Sequence, residues 1–278
     1  MLRNVQANFR SRRFRNVAIA AIAILMIALI VYLLNQSLHH SSFFTGYLLM
    51  GSFLLLTAFG MRKRLSFLPK IGSAQLWMQV HIYVGLATFA MFGLHVGWRF
   101  PDGIFETMLT VLFLIVGTSG LYGLMITRTY PQRLTSVGGE AIFERIPLLR
   151  AQIATRVRAL VVESAGTTDV LGRFYVNHLA EFFEKPRGWV YWMVPNGRLK
   201  RQLVSDIGEL DRYLAEDQRD IGKELCRFVE QRDRLDYHHA LQSRLKVWLF
   251  VHIGFTYSLL LFSLFHMVLA HAFSGGVG

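Results

Sequence analysis

Five stretches of this sequence run for eighteen residues or more without a single Asp, Glu, Lys or Arg: Val17 to Leu34, Phe43 to Met61, Ile71 to Trp98, Met108 to Thr127 and Val247 to Phe273. A run of roughly 20 apolar residues is long enough to cross the hydrocarbon core of a bilayer as an α-helix. In lipid only a helix or a closed barrel satisfies every backbone polar group. The stretches therefore predict an all-α fold, an integral membrane bundle of five transmembrane helices. The 53% hydrophobic content and 13% aromatic content of the 278 residues agree with that class.

The net charge of +12 points to membrane borders and not to nucleic acid. Between Thr129 and Ser243 there are 17 Lys and Arg against 16 Asp and Glu, a net of 17 − 16 = +1. The surplus flanks the apolar stretches: Arg3, Arg10, Arg12, Arg13 and Arg15 before the first, Arg62, Lys63, Arg64 and Lys70 between the second and third, Arg128 after the fourth, and Arg244 and Lys246 before the fifth. On the opposite side Arg99 is balanced by Asp102 and Glu106. By the positive-inside rule the N-terminus is expected in the cytoplasm and the C-terminus outside, with the bacterial inner membrane as the expected setting. The chain then divides into residues 1–128 with the first four helices, a cytoplasmic helical insertion over 129–243, and residues 244–278 with the fifth helix.

The insertion has its own periodicity. Ile142, Ile146, Leu149, Ile153, Val157 and Leu160 recur at spacings of three and four, predicting an amphipathic helix over Glu140 to Glu163, with Pro147 expected to bend or interrupt its early part. A second helical piece is expected over Val170 to Glu184. Lys185 to Gly197 reads as an irregular aromatic segment of the kind that lies at a membrane interface. Helical patterning resumes near Leu199, and no proline separates it from the fifth stretch. Its dense mixed charges predict one solvated and one packed side. No phosphate loop, dinucleotide motif or carboxylate pair points to a catalytic centre, and His178, His238 and His239 read as surface or packing residues.

The membrane stretches, by contrast, carry four histidines in two equal spacings. His81 and His95 lie in the third stretch and His252 and His266 in the fifth, with 95 − 81 = 14 and 266 − 252 = 14. Fourteen residues span about 21 Å of helix and return to within about 40° of the same direction. The third and fifth helices, separated by the fourth, run the same way. His81 is then level with His252 and His95 with His266. Ionisable residues inside a span are costly and tend to be functional. Two facing imidazoles at each of two levels match the axial ligands of two b-type haems. The single cysteine, Cys226, excludes an internal disulfide, a c-type haem attachment and a cysteine-held iron–sulfur cluster.

Glycines accompany these histidines. Gly117, Gly120 and Gly123 repeat every three residues along one side of the fourth helix, a close-contact face for a helix or a macrocycle. Arg99 at one end, and Arg62, Arg64, Arg128, Arg244 or Lys246 at the other, are candidate partners for haem propionates. His271 lies near the external mouth, and His39 and His40 in a short external link.

The pairs, each His-x13-His, resemble those of dihaem membrane cytochromes b and of ferric reductase and NADPH-oxidase transmembrane domains. The resemblance covers the membrane part. It implies two haems, held by His81/His252 and His95/His266, in a subunit that carries electrons across the membrane between a quinone or quinol and a protein partner such as an external c-type cytochrome. These 278 residues hold no counterpart of the sixth helix or of the flavin and nicotinamide domain of the ferric reductase type, and they add the long insertion. The competing expectations are a ferric reductase-like protein, a non-redox membrane scaffold, and a proton or metal transporter using the same histidines.

Overall fold

The computed structural model describes residues 17–18, 21–22, 24–33, 41–61, 73–138, 141–165, 169–210, 212 and 219–274. Among them every regular element is helical. A short apolar helix, α1, is described over Ile24–Leu33. It is followed by α2 (Ser41–Met61), α3 (Ala74–Val96) and α4 (Ile104–Val137). Next come α5 (Ile146–Ala165), α6 (Asp169–Phe174), a π-helical turn (Tyr175–Leu179), α7 (Ala180–Glu184), α8 (Trp189–Met193), α9 (Arg198–Leu210) and α10 (Arg219–Ser274). Four of them, α2, α3, α4 and α10, are long and apolar enough to cross a membrane, so the protein is a membrane protein with at least these candidate spans. His39, His40, Arg62 and Arg64 lie outside the described residues.

The chain forms two compact units, Met1–Leu124 with Leu249–Gly278, and Met125–Trp248. In the first unit α2 and α3 are the pair whose backbones approach closely along their length. Buried Thr45 and Ser52 of α2 face α3, where Ser52 Oγ lies 3.7 Å from Met91 Sδ. Small and hydroxylated side chains at such a seam let membrane helices pack tightly. The helix α3 starts on an N-cap, Ser73, whose hydroxyl accepts from Leu76 N–H. It stops at Gly97, which takes a left-handed conformation (φ 68°) and returns its N–H to the Gly93 carbonyl. The following Trp98 is also left-handed (φ 57°). Its ring lies over Gly93, where a Cβ would stand 2.6 Å away, so a side chain there would displace the turn. The four-helix side of the unit is filled by rings: Phe113 of α4 stacks on Phe92 at 4.2 Å and meets Phe89 edge-on at 5.4 Å.

The second unit is built around Val157, Leu171, Leu179, Phe183, Ile207, Leu225 and Val229. Three expectations are revised here. Pro147 does not bend a helix already under way, because α5 begins at Ile146 after the single 3-10 turn Phe143–Arg145. In the first turn the missing proline N–H has no intrahelical acceptor to lose. Nor does one helix run from Leu199 to the membrane. The helix α9 ends at Leu210, where Arg212 N–H bonds the Glu209 carbonyl in a tightened last turn, and α10 starts anew at Arg219. The aromatic segment after Lys185 contains the short helix α8 and is not wholly irregular.

Candidate functional site

The four membrane histidines fall on α3 and α10, and each helix repeats one face every seven residues or so. Midway between the histidines, seven residues from each, stand Thr88 on α3 and Leu259 on α10, both buried. Each pair therefore shares a continuous inward stripe. His95 and His266 face each other with ring centroids 6.4 Å apart and planes at 89°. Two imidazoles sharing one metal through nitrogen bonds of roughly 2 Å place their centroids about 6 Å apart. The observed pair has that separation.

Its proton arrangement is fixed by α2. His95 Nδ1 lies 3.1 Å from the Ser42 carbonyl oxygen and 3.0 Å from Thr45 Oγ1. A carbonyl can only accept, so Nδ1 carries the proton and donates. The lone pair is then on Nε2, the atom turned to the other side of the ring. The Thr45 hydroxyl itself donates to the same carbonyl at 3.1 Å. Gly46 lets the ring lie against α2, since a Cβ there would sit 3.2 Å from His95 Cε1. A cavity of about 420 Å³ opens beside this pair, bordered also by Arg99, Asp102, Glu106 and Tyr47. Its volume is in the range of ligand pockets, roughly 300–1,000 Å³. His271 borders it too. Its Nδ1 donates to the Met267 carbonyl at 2.7 Å, so its Nε2 accepts from the Tyr47 hydroxyl.

His81 and His252 border a second, smaller cavity of about 110 Å³ together with Gly85, Gly117 and Gly120. His252 Nδ1 lies 3.2 Å from Ser119 Oγ. Gly120 faces His252 at ordinary van der Waals distance, with a Cβ placed 3.7 Å from Cε1. Gly117 is filled differently: the Phe89 ring lies against it, and a Cβ there would be 2.4 Å from Phe89 Cζ. His81 Nδ1 is buried without a hydrogen bond of acceptable geometry, although the Leu56 main chain is near, and its ring tilts on Phe59 at 5.1 Å. A macrocycle at this level needs Phe89 to swing aside. Phe53, Phe113 and Leu259 border both cavities and form the wall between them.

Among the described residues no group of three or more His, Cys, Asp or Glu side chains converges. Two imidazoles suffice for an iron whose other four positions belong to a tetrapyrrole. The 6.4 Å ring separation fits such a group.

Of the other expected site residues, Arg99 borders the larger cavity, and Gly117 and Gly120 border the smaller. Arg128 is exposed on the second unit's part of α4. Arg244 is engaged within that unit, donating to the Met193 carbonyl at 3.0 Å and lying 5.0 Å from the Tyr130 ring centroid. Lys246 pairs with Glu144 at 2.7 Å. Ser42, Thr45, Ser119 and Phe113 were not expected from sequence. A hydroxyl inside a span is the one signal that could have marked Thr45 and Ser119, and many such hydroxyls only bond their own helix, as Thr118 does to the Leu114 carbonyl. Comparison with protein-family models, with curated proteins and with solved structures gives no match.

Proposed function

We propose that this chain is the dihaem cytochrome b subunit of a membrane oxidoreductase, carrying electrons across the bilayer between a quinone or quinol pool and a protein partner such as an external c-type cytochrome. The observation that carries the reading is the His95/His266 pair, facing at 6.4 Å with the His95 proton held on Nδ1 by the Ser42 carbonyl. Two haems, when bound, supply one-electron carriers whose iron is closed to further ligands.

The chain's own residues do the rest. His95 and His266 offer two nitrogens at one level, and His81 and His252 at the other, one helical stripe and about 21 Å away. Ser42 and Thr45 orient His95, the Ser42 carbonyl fixing the proton on Nδ1, and Ser119 holds the His252 ring in place. Gly46 lets the His95 ring lie against α2, and Gly120 leaves room beside His252. Arg99, at the edge of the larger cavity, is placed to meet a propionate. The proposal includes a fifth span through Val17 to Leu34, a cytoplasmic N-terminus and an external C-terminus, with the His95/His266 level outside, in the bacterial inner membrane.

The test is the absorption spectrum of the purified, reduced protein. It is expected to show b-type bands, with His266→Ala and His81→Ala each removing roughly half of the haem and together all of it. A folded, colourless protein from haem-replete cells would overturn the reading.

A further inference from the structure

The short helix α8 is anchored on one side and bare on the other. Its Tyr191 ring lies 4.7 Å from the Arg187 guanidinium, which also covers Phe182 at 4.8 Å. Arg187 donates to Asp233 at 3.0 Å and to Asp236 at 3.2 Å, both on α10. The segment is thus held rigidly against the second unit. Yet Trp189 is 75% exposed, Val190 61%, Met193 49% and Val194 65%. Trp189, Val190 and Met193 fall within about 100° of one another around this single turn, away from Tyr191, and Val194 follows at its C-cap. An anchored face of Trp, Val and Met left bare is unusual for a surface in water.

Its position along α10 says what covers it. The Met193 carbonyl accepts from Arg244 at 3.0 Å. A second exposed apolar residue, Ile142, adjoins Phe143, whose ring centroid is 3.8 Å from Lys246 Nζ. Arg244 and Lys246 are the last charged residues before the uncharged run of Val247 to Phe273. Both apolar segments are therefore tied to the one turn of α10 at which its sequence becomes suitable for lipid. From Lys185 to Ser205 there are also five Lys and Arg and no Asp or Glu, a balance that favours an anionic surface.

We propose that Trp189, Val190, Met193 and Val194, with Ile142 beside them, seat in the headgroup–acyl boundary of the leaflet that α10 enters, so that the second unit rests on the membrane by a fixed apolar foot. This rests on the membrane spans alone and is independent of the haems.

The experiment uses the full-length protein with Cys226→Ser, one copy per nanodisc of mixed zwitterionic and anionic phospholipid. A nitroxide is attached at Val190→Cys, or at Met193→Cys as a second variant, and its collisions with oxygen and with a water-soluble nickel chelate are compared by EPR. The reference is Val162→Cys on α5, a site 69% exposed in the same unit. Foot positions shielded from nickel several-fold relative to Val162, and enriched in oxygen collisions, are the expected result. With one copy per disc and the scaffold protein confined to the disc rim, only lipid can give that shielding over the disc face. Nickel access at both foot positions equal to that at Val162 would overturn the proposal, including the case in which the face is covered by another protein or a second copy.

Discussion

Both units bury polar side chains, but they complete them differently. In the second unit Asp236, fully buried, meets Arg150 at 2.5 Å, Arg187 at 3.2 Å and Arg232 at 3.6 Å, while Asp233 meets Arg187 at 3.0 Å. Not every contact has the linear geometry of a hydrogen bond, since Asp236 Oδ1 and the Nε atoms of Arg150 and Arg232 make none, but each charge faces an opposite one. Burial is strong enough there to push the Asp233 carboxyl above its ordinary range in spite of Arg187. In the first unit His81 Nδ1 is buried with no hydrogen-bond partner, and His95, whose Nδ1 donates to the Ser42 carbonyl, borders a cavity that His266 also borders. Buried groups that the protein pairs with its own charges serve architecture. Buried groups completed on one side only mark a place where something else completes them.

The largest effect that separates the two kinds is expected from Asp236→Ala. It leaves three guanidiniums facing one another in a buried site, and removing one member of such a set costs about 3–5 kcal/mol. Thermal unfolding of the second unit should shift down strongly while the reduced haem bands keep their positions. An unchanged melting curve would show that the network is not structural. A smaller, opposite pattern is expected from Thr45→Val. The Ser42 carbonyl still holds the His95 proton, so the loss is the low end of an outer-shell change, about tenfold in haem affinity, with stability little altered. Retention of the proposed haems through purification and the midpoint potential of one of them are the readouts. No change in either would mean that the carbonyl alone orients the ring.

Helical periodicity is local, which is why α2, α3, α4, the apolar half of α10 and the histidine stripes could be read from the chain. The second shell could not, because Thr45 reaches His95 across 50 positions and Ser119 reaches His252 across 133. The charged network was legible in part. Arg232, Asp233 and Asp236 follow Leu225 and Val229 at spacings of three and four, so they continue the packed stripe of α10 instead of its solvated side. Dense charge on a helix reads as solvated unless the register of each residue is followed. The fate of Trp189 is a third case: composition marks it as interfacial, but only the Arg244 to Met193 bond ties it to the turn before the membrane.

His238 is the exception inside the second unit, and it sharpens the comparison. It is buried, and its Nε2 has no hydrogen-bond partner, as His81 Nδ1 has none in the membrane part. Burial, with the Arg234 charge adding to it, holds its pKa below the ordinary 6.5, against the opposing pull of the Gly138 backbone. His239, stacked on Phe143 at 5.1 Å, is lowered in the same direction, chiefly by burial. The unfolded chain then binds more protons than the folded one below about pH 6.5, so stability is full above that pH and falls as pH drops toward the depressed folded value. His238→Gln should flatten part of this acid slope and leave the haem spectrum untouched, a smaller effect than either substitution above. Melting temperatures followed from pH 7.5 to pH 5 in wild type and variant check it. A slope unchanged by the substitution would mean that His238 binds protons equally in the folded and unfolded chains, and a haem band that moved with it would break the separation between the units.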